Sequence, residues 1–413
     1  MLRAESSAAH GFHTRNYPLR VHAGVNALTE LPRELQRLDI SRALILCGKS
    51  VRERTGLTQT MQELAGERIA GIFAGISEGA PAECIEDAAA QARALGADAL
   101  IAVGAGSVIK GTRVVAMLLG ENQPLREMAT IHRDGMPPLS RRLNAPKMPI
   151  FNVLTSPSSA QNRGGSAVRY RGSAHHLEFF DPKTRPQAVF WDSDALATAP
   201  LSLARSTSFE IYWWSLMCMG SAGSANPLVQ ASRYHAWHLA RRAYPGLGSE
   251  NKAAALIDLC AAALLQNRDE EDGGRPWSCH LLARAAYASA VGVFNHYEGV
   301  TQSRGYAAFA PAMIRALGTC VPDVTRALGE ALGQAPGEPA GAAALAERVA
   351  AQVELDFQAQ GWRTNLHDCG IPAADAPLLL NLALRNFNTN HDRMLDQHRE
   401  AMLVAITQVL APS

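Results

Sequence analysis

Residues 99–110 read Ala-Leu-Ile-Ala-Val-Gly-Ala-Gly-Ser-Val-Ile-Lys, and this pattern indicates a strand followed by a tight turn and a helix. The apolar residues at its start predict a buried strand. Gly104 and Gly106 then let the chain turn sharply and approach a phosphate closely, and Ser107 would cap the helix or bond a phosphate oxygen. Backbone N–H groups and the helix dipole at such a turn favour a pyrophosphate. An ordinary strand-to-helix turn is the alternative.

Three further apolar runs predict strands, at residues 43–47, 69–73 and 150–154. Residues 82–95 place apolar side chains at helical spacing, and Gly96 would cap the end of that helix. Strands without polar alternation that are joined by helices indicate a parallel sheet covered on both faces. The fold class predicted for this half is therefore α/β.

Small and hydroxylated residues follow two of these other strands as well. Gly48-Lys49-Ser50 comes directly after one predicted strand, and Thr155-Ser156 directly after another. The carboxyl ends of the strands form the ligand crevice of an open α/β sheet. Three such turns at one edge therefore predict a nucleotide site.

The pattern changes after Pro200, where the chain becomes rich in Ala and Leu and almost entirely helical in character. A length of 413 residues allows two or three domains. We predict a Rossmann-like dinucleotide-binding domain over residues 1–198 and an all-α domain over residues 199–413.

Charge and hydropathy exclude several classes of protein. The 39 Lys and Arg against 38 Asp and Glu leave no excess of cations for a dedicated nucleic-acid binder. Met1 to Tyr17 lacks the apolar core of a signal peptide. The most apolar helical stretch, residues 253–265, contains Asp258 and is too short to cross a bilayer. We expect a cytoplasmic protein with neither nucleic acid nor membrane as a partner.

Two other patterns argue against a metal cage or a disulfide framework. The seven cysteines are widely spaced without a Cys-x-x-Cys pair, which indicates reduced core residues. The run Arg268-Asp269-Glu270-Glu271-Asp272 precedes Gly273-Gly274 and is interpreted as a solvated acidic surface in a loop rather than a cation site.

Three stretches follow one another in an order that a known family shares. They are residues 96–107; residues 176–196, with Asp181-Pro182-Lys183 and Phe190-Trp191-Asp192; and Ala225-Asn226-Pro227-Leu228. In this order they resemble the iron-containing (group III) alcohol dehydrogenases and their relatives, the maleylacetate reductases, within the dehydroquinate-synthase-like superfamily. The resemblance runs from about residue 16 to the C-terminus, and it implies a homodimer that pairs through an N-terminal strand.

The resemblance implies NAD(H) or NADP(H) as the cofactor, with the pyrophosphate over Gly104–Ser107 and the nicotinamide half near Thr155–Asn162. Many NAD-specific relatives carry an acidic residue at about Gly48, and here Lys49 and Arg52 lie nearby instead. We therefore expect NADP(H), with a plain surface role for these two side chains as the alternative. The expected cofactor-binding residues are Gly48, Lys49, Ser50, Gly104, Ala105, Gly106, Ser107, Thr155, Ser156 and Ser159.

The chain also departs from the family's pattern at the cofactor. Lys110 stands where the family usually has an Asp, three positions after the Ser of the phosphate turn. Residues 156–163, Ser-Pro-Ser-Ser-Ala-Gln-Asn-Arg, replace its Thr-Gly-Ser-rich loop.

The resemblance further implies a metal held by one Asp and three His, and most of these ligands are replaced. Alignment through the Ala-Asn-Pro-Leu turn puts Glu210 at the Asp position and Trp214 at a His position, and indole offers only an N–H donor. Residues 293–306 cover the family's His-rich loop but retain only His296, and Gln302 or Arg304 stands where the His of its last motif is expected. We expect no tightly bound metal; a rearranged site from Glu210, His296 and another ligand is the alternative.

Hydride transfer remains feasible without a metal if protein groups polarise the carbonyl and supply the proton. His296 is the preferred proton donor, because it lies in the predicted loop that should face the nicotinamide; a buried His satisfied by a backbone carbonyl is the alternative. An Arg such as Arg163 would pair with a substrate carboxylate at two points. The candidate catalytic residues are His296, Arg163, Glu210, Gln302 and Arg304.

Two functions follow as expectations. The first is an oxidoreductase that transfers a hydride between a nicotinamide cofactor and a small alcohol or carbonyl substrate, including carboxylated ones, without the usual metal. The second is a non-redox enzyme, such as a lyase or isomerase, or a catalytically silent binding protein on the same scaffold. The Tyr212-Trp213-Trp214 cluster is assigned to core packing, with a wall of a substrate pocket as the alternative.

Overall fold

The computed structural model describes residues 11–133, 136, 138–171, 176–250, 252–274, 279–334, 341–386 and 388–411. Its chain divides into two compact units. The sheet unit comprises Tyr17–Ser208 and Gly246–Leu264, and the helical unit comprises Met1–Asn16, Phe209–Pro245 and Leu265–Ser413. The domain boundary expected at residue 198 stays a prediction. Most of Met1 to Tyr17, for which no signal peptide is expected, lies outside the described residues.

Six parallel strands form the main sheet, in the order β1-β8-β5-β4-β2-β3. Strands β2, β4 and β5 are buried along their whole length, which explains their largely apolar sequences. Val103 pairs with Cys47 and Gly104 with Leu154, so the carboxyl ends of these three strands lie side by side. The strands are β1 (Arg20–Gly24), β2 (Ala43–Cys47), β3 (Ile69–Phe73), β4 (Ala99–Gly104), β5 (Ile150–Leu154) and β8 (Ala188–Asp192).

A buried apolar cluster joins the sheet to helices α1 (Leu31–Arg37) and α3 (Leu57–Ala65). Alternate strand residues supply one face of this cluster, because successive side chains of a strand point to opposite sides. The strand members include Ile45, Cys47, Ile101, Val103, Phe151, Val153 and Phe190, and the helix members include Leu31, Leu35 and Met61.

The other helices of the sheet unit lie between its strands, except for α7, which follows the last strand. They are α2 (Lys49–Arg54), α4 (Ala82–Ala94), α5 (Gly106–Glu121), α6 (Leu125–Met128) and α7 (Ser193–Ala197). Gly96 follows α4 with a φ of 58°, the left-handed conformation that glycine adopts without strain, so the predicted helix end is confirmed.

An antiparallel hairpin that the sequence analysis did not predict follows the polar loop after β5. It consists of β6 (Gly165–Val168) and β7 (Leu177–Phe180). Both strands are short and only partly buried, so they lack the uninterrupted apolar run that marks the central strands.

The remaining helices confirm the prediction of an α-helical C-terminal part. They are α8 (Leu201–Met219), α9 (Pro227–Ala243), α10 (Lys252–Glu271), α11 (Leu281–His296), α12 (Gln302–Leu317), α13 (Pro322–Ala331), α14 (Ala342–Ala359), α15 (Ala376–Leu384) and α16 (Arg399–Leu410). None of the helices in the described ranges is long and apolar enough to cross a membrane.

Two expectations from the sequence are wrong in this part of the molecule. The run at 268–272 is not a solvated loop, because it ends helix α10 and buries Asp269 and Asp272. Asp269 pairs with Arg233, a partner far away in sequence. The cysteines are all free, but Cys320 is exposed, so they are not all core residues.

Candidate functional site

The predicted phosphate turn lies at the carboxyl end of β4, where Ala105 is extended and α5 begins at Gly106. No described side chain caps this helix. The Ser107 hydroxyl instead accepts a hydrogen bond from the Gly79 N–H at 3.1 Å, so Ser107 is not the helix cap. The first-turn N–H groups therefore present their partial positive charge at the half-buried turn.

The two glycines of the turn have different roles. A Cβ at Gly104 would lie 2.7 Å from a methyl group of Val108, so the packing of the chain requires glycine there. A Cβ at Gly106 would lie 3.7 Å from the Ser158 hydroxyl, which is ordinary contact. Internal packing therefore does not require glycine at position 106. The small size of Gly106 leaves room at the N-terminal end of α5.

The polar loop that follows β5, residues 155–163, lies beside this turn. The Thr155 N–H donates to the Gly104 carbonyl at 3.2 Å, which ties the two strand ends together. The Ser156 and Thr207 hydroxyls bond each other at 2.6 Å. Three expected cofactor residues therefore lie in the loop beside the turn. Of these, Thr155 and Ser156 are buried and Ser159 is half-buried.

Gln161 anchors this loop, a role that the sequence analysis missed. Its side chain is fully buried; its amide donates to the Cys260 carbonyl and its oxygen accepts from the Trp191 indole, each at 2.8 Å. The Asn152 side chain donates to the Gln161 backbone carbonyl at 2.7 Å. The available signal was a lone Gln in a loop, and both partners of its side chain, Cys260 and Trp191, are distant in sequence.

Arg113 is a second anchor that the sequence analysis missed. The guanidinium is buried on α5 and donates to the carbonyls of Ala160 and Gly165, which flank the end of the loop. Burial lowers the pKa of Arg113, and the charges of Arg163 and Arg185 lower it further. A basic residue within the apolar run at 108–118 was the signal for it.

The edge beside β2 carries the residues expected to select the cofactor. Gly48 precedes α2 as its cap residue, and Lys49 and Ser50 are exposed. Lys49 lies 3.8 Å from Glu53 in a largely exposed ion pair, and Arg52 donates to the Thr58 hydroxyl at 2.9 Å.

In the helical unit, an aromatic cluster surrounds the position where a metal ligand is expected. Trp213 stacks on Tyr306 with ring centroids 4.0 Å apart, and Trp214 lies edge-on to Tyr287 at 6.0 Å. Tyr287 in turn stacks on Tyr306 at 6.0 Å. Trp213 and Trp214 are buried, which confirms their predicted packing role. Glu210 is half-buried and lies one turn before Trp214 on α8.

His296 is neither in a loop nor buried. It is the last residue of α11 and is exposed, so the predicted loop at 293–306 shortens to residues 297–301 between two helices. Its ring lies edge-on to Tyr297, whose hydroxyl donates to Asp375 at 2.5 Å. Burial raises the pKa of Tyr297, and the hydrogen bond to Asp375 raises it further.

Gln302 and Arg304 lie in the first turn of α12 and are engaged by neighbours. The Gln302 amide donates to the Tyr306 hydroxyl. Arg304 pairs with Asp368 and donates to the Arg363 carbonyl at 3.0 Å. Arg163, which is half-buried, belongs to the sheet unit, whereas Glu210, His296, Gln302 and Arg304 belong to the helical unit. Their catalytic roles stay predictions.

Comparison with known proteins agrees with this geometry. Residues 18–193 match the family model for iron-containing alcohol dehydrogenase. This stretch, less than half of the chain, is similar to the iron-containing alcohol dehydrogenases. The resemblance inferred from the motifs is therefore confirmed.

Two curated relatives and one solved structure give the extent of the likeness. The chain is 24% identical over 194 residues to 4-hydroxybutyrate dehydrogenase of Cupriavidus necator, which covers 47% of this chain and 49% of that protein. It is 25% identical over 232 residues to maleylacetate reductase 1 of Rhodococcus opacus. That match covers 50% of this chain and 64% of the reductase. The matched stretches thus span less than two thirds of these relatives.

The solved structure of NADH-dependent butanol dehydrogenase A from Thermotoga maritima has a TM-score of 0.80 to this chain at 16% identity. The superposition covers 97% of this chain and 100% of that one. This likeness shows a shared fold.

The iron site that the family name implies does not fit the residues of this chain. Trp214 presents only an N–H donor and packs in an aromatic cluster, so it cannot bind a cation. The Gln302 side chain is held by Tyr306. Within the described ranges, no group of three or more His, Cys, Asp and Glu side chains is arranged to hold a metal.

Proposed function

We propose that the protein is an oxidoreductase that transfers a hydride between a nicotinamide cofactor and a small alcohol or carbonyl substrate. The observation that carries the proposal is the uncapped start of α5 at the carboxyl end of β4, directly beside the polar loop after β5. The match to the iron-containing alcohol dehydrogenase model over the same residues supports it.

The residues at this edge suit a dinucleotide. The N–H groups around Ala105, Gly106 and Ser107 would hold its phosphates. Gln161 and Arg113 fix the adjoining loop from below, so that a ligand binds to an ordered wall. When bound, the nicotinamide supplies or accepts the hydride.

NADP(H) is the proposed form of the cofactor. Gly48 offers no carboxylate to bond the 2′-hydroxyl of the ribose and no charge to repel a 2′-phosphate. Lys49 is exposed, and its contact with Glu53 is long enough to exchange for a phosphate.

We further propose that the reaction proceeds without a tightly bound metal. Trp214 stands at one expected ligand position and Gln302 or Arg304 at another, and both of the latter are engaged by neighbours, so protein donors must meet the charge that develops on the carbonyl oxygen. The exposed His296 imidazole is the proposed proton donor or acceptor, and Arg163 is the proposed partner of a substrate carboxylate.

A turnover assay tests the proposal. NADPH or NADH oxidation is followed with a panel of small aldehydes, ketones and keto acids, before and after incubation with a chelator. We expect turnover of at least one carbonyl, faster with NADPH and unchanged by the chelator. If the protein binds neither cofactor, the non-redox alternative replaces this proposal. In that case the protein is a lyase, an isomerase or a catalytically silent binding protein.

A further inference from the structure

The end of helix α8 packs closely against the start of helix α11. His280 caps α11, and its Nδ1 accepts a hydrogen bond from the Ala283 N–H at 3.3 Å. Its Nε2 donates to the Met217 carbonyl at 2.6 Å. A Cβ at Gly220 would lie 2.7 Å from that same nitrogen, so glycine allows the close approach. Residues 217–221 are thus held against residues 279–280.

This contact brings two cysteines together that are distant in sequence. Cys218 and Cys279 are both buried, with 3% and 5% of their surface exposed, and each thiol is the largest influence on the pKa of the other. The Ser221 hydroxyl lies 3.7 Å from the Cys279 sulfur. Both cysteines belong to the helical unit.

A buried cation lies beside the two sulfurs. Arg233 donates to the Ser221 hydroxyl at 2.9 Å and to the Ser221 carbonyl at 3.0 Å. Its other nitrogens form a two-point ion pair with Asp269, which is itself buried and holds the guanidinium in place. A positive charge beside a thiol favours the thiolate, the reactive form of cysteine.

The two thiols differ in acidity. The hydrogen bond from Cys218 lowers the pKa of Cys279 well below its usual range, and His280 and Arg233 add to the effect. The same hydrogen bond and burial raise the pKa of Cys218. Cys279 is therefore the more acidic thiol of the pair and Cys218 the less acidic one.

We propose that Cys218 and Cys279 are a redox-active pair that hydrogen peroxide converts into an intrachain disulfide. The Cys279 thiolate attacks one peroxide oxygen, the O–O bond breaks, and hydroxide leaves, so that Cys279 becomes a sulfenic acid. The Cys218 sulfur then attacks the Cys279 sulfur and expels the hydroxyl, which leaves with a proton as water. Two thiols are oxidised, and one peroxide is reduced to two waters.

Burial is compatible with this chemistry because peroxide is close to water in size and carries no charge. The disulfide would join the last turn of α8 to the residue that precedes the cap of α11. Trp214 lies one turn before Cys218 on α8, so oxidation constrains a helix that carries part of the aromatic cluster.

Peroxide treatment of the full chain, followed by alkylation and peptide mass spectrometry, tests the proposal. We expect a peptide linked through Cys218 and Cys279, lighter than the two free peptides by two hydrogen atoms and restored by dithiothreitol. Cys260 is the matched control, because it is equally buried and burial alone raises its pKa. The Cys279 thiol should disappear at least about tenfold faster than that of Cys260.

Two variants separate the roles of the sulfurs. In Cys218→Ala, the Cys279 sulfenic acid persists and is captured by dimedone, a product that the wild-type protein does not form. In Cys279→Ala, Cys218 reacts as slowly as Cys260. The proposal is overturned if the wild-type chain yields no linked peptide while exposed Cys320 is oxidised, a result that needs no variant to fold.

Discussion

The Gln161 side-chain oxygen accepts a hydrogen bond from the Trp191 indole N–H at 2.8 Å, and both residues are buried. Trp191 lies on β8 and Gln161 in the loop after β5, so this bond attaches the loop to the neighbouring strand of the sheet. The loop expected to line the nicotinamide is therefore held by buried polar contacts.

Replacing Gln161 by Leu should destabilise the fold. The change leaves the Trp191 N–H and the Cys260 carbonyl buried without partners, which should lower the free energy of unfolding by about 3 kcal/mol. Urea unfolding followed by circular dichroism measures this. Gln59→Leu, on the exposed face of α3, is the control and should stay within about 0.5 kcal/mol of wild type. Equal stability of the two variants would contradict the anchoring role.

Gly106→Ala should weaken dinucleotide binding without harming the fold. Outside its chain neighbours and the backbone of its own helix, the added methyl meets no described atom closer than 3.7 Å, and Ala favours a helix over Gly by about 0.5–1 kcal/mol. The methyl would occupy the space above the helix end, so the Kd for NADPH should rise at least about tenfold. Gly104→Ala is the contrasting variant, because its methyl collides with Val108 and should lower the melting temperature. Unchanged affinity in Gly106→Ala would place the cofactor elsewhere.

Purified protein should contain far less than one equivalent of iron or zinc by elemental analysis. The reason is the donor set, since Trp214 cannot ligate and Gln302 is bound to Tyr306. Trp214→His restores one imidazole and should raise zinc retention, with Trp237→His, on α9, as the control. Stoichiometric metal in the wild-type protein would refute the metal-free account.

Asp392→Asn should destabilise the protein at neutral pH and much less in acid. The hydrogen bond from Arg284 lowers the pKa of Asp392 to about 2, although burial opposes this. Because this pKa lies below that of an unfolded Asp, the ionised group stabilises the fold above about pH 4, and the stabilisation is lost as the pH falls toward 2.

The size of that effect should be modest. The Asp392 side chain is 44% exposed, so solvent screening limits the loss to about 1 kcal/mol at neutral pH. Urea unfolding at about pH 7 and about pH 3 measures it. Asp323→Asn is the control, because the Asp323 side chain is 93% exposed in its ion pair with Arg326. Its free energy of unfolding should equal that of wild type at either pH. A constant difference between the two pH values would exclude the ion pair as its cause.

The sequence predicted strands β2, β3, β4 and β5, but it missed the edge strand β1 and the buried interior strand β8. Strands β2 and β4 are uninterrupted apolar runs because both of their faces are buried, and such runs are visible without any structure. Strand β1 is half-exposed at the edge, and the β6–β7 hairpin is short, so neither has this signature.

Long-range partners explain the errors at polar residues. The run at 268–272 has the composition of a solvated surface, but the approach of Arg233 from another helix makes the burial of Asp269 favourable. Gln161 and Arg113 act through carbonyls and an indole far away in sequence, which local patterns do not reveal. The phosphate turn was predictable because its glycines, strand and helix are contiguous.

Fluorescence titration of the purified protein with NADPH and NADH tests the central claim most directly. We predict saturable binding of NADPH, weaker binding of NADH, and loss of at least about tenfold in NADPH affinity in the folded Gly106→Ala variant. Absence of binding of either cofactor at about millimolar concentration, equivalent to a binding free energy weaker than about −4 kcal/mol, would contradict the account.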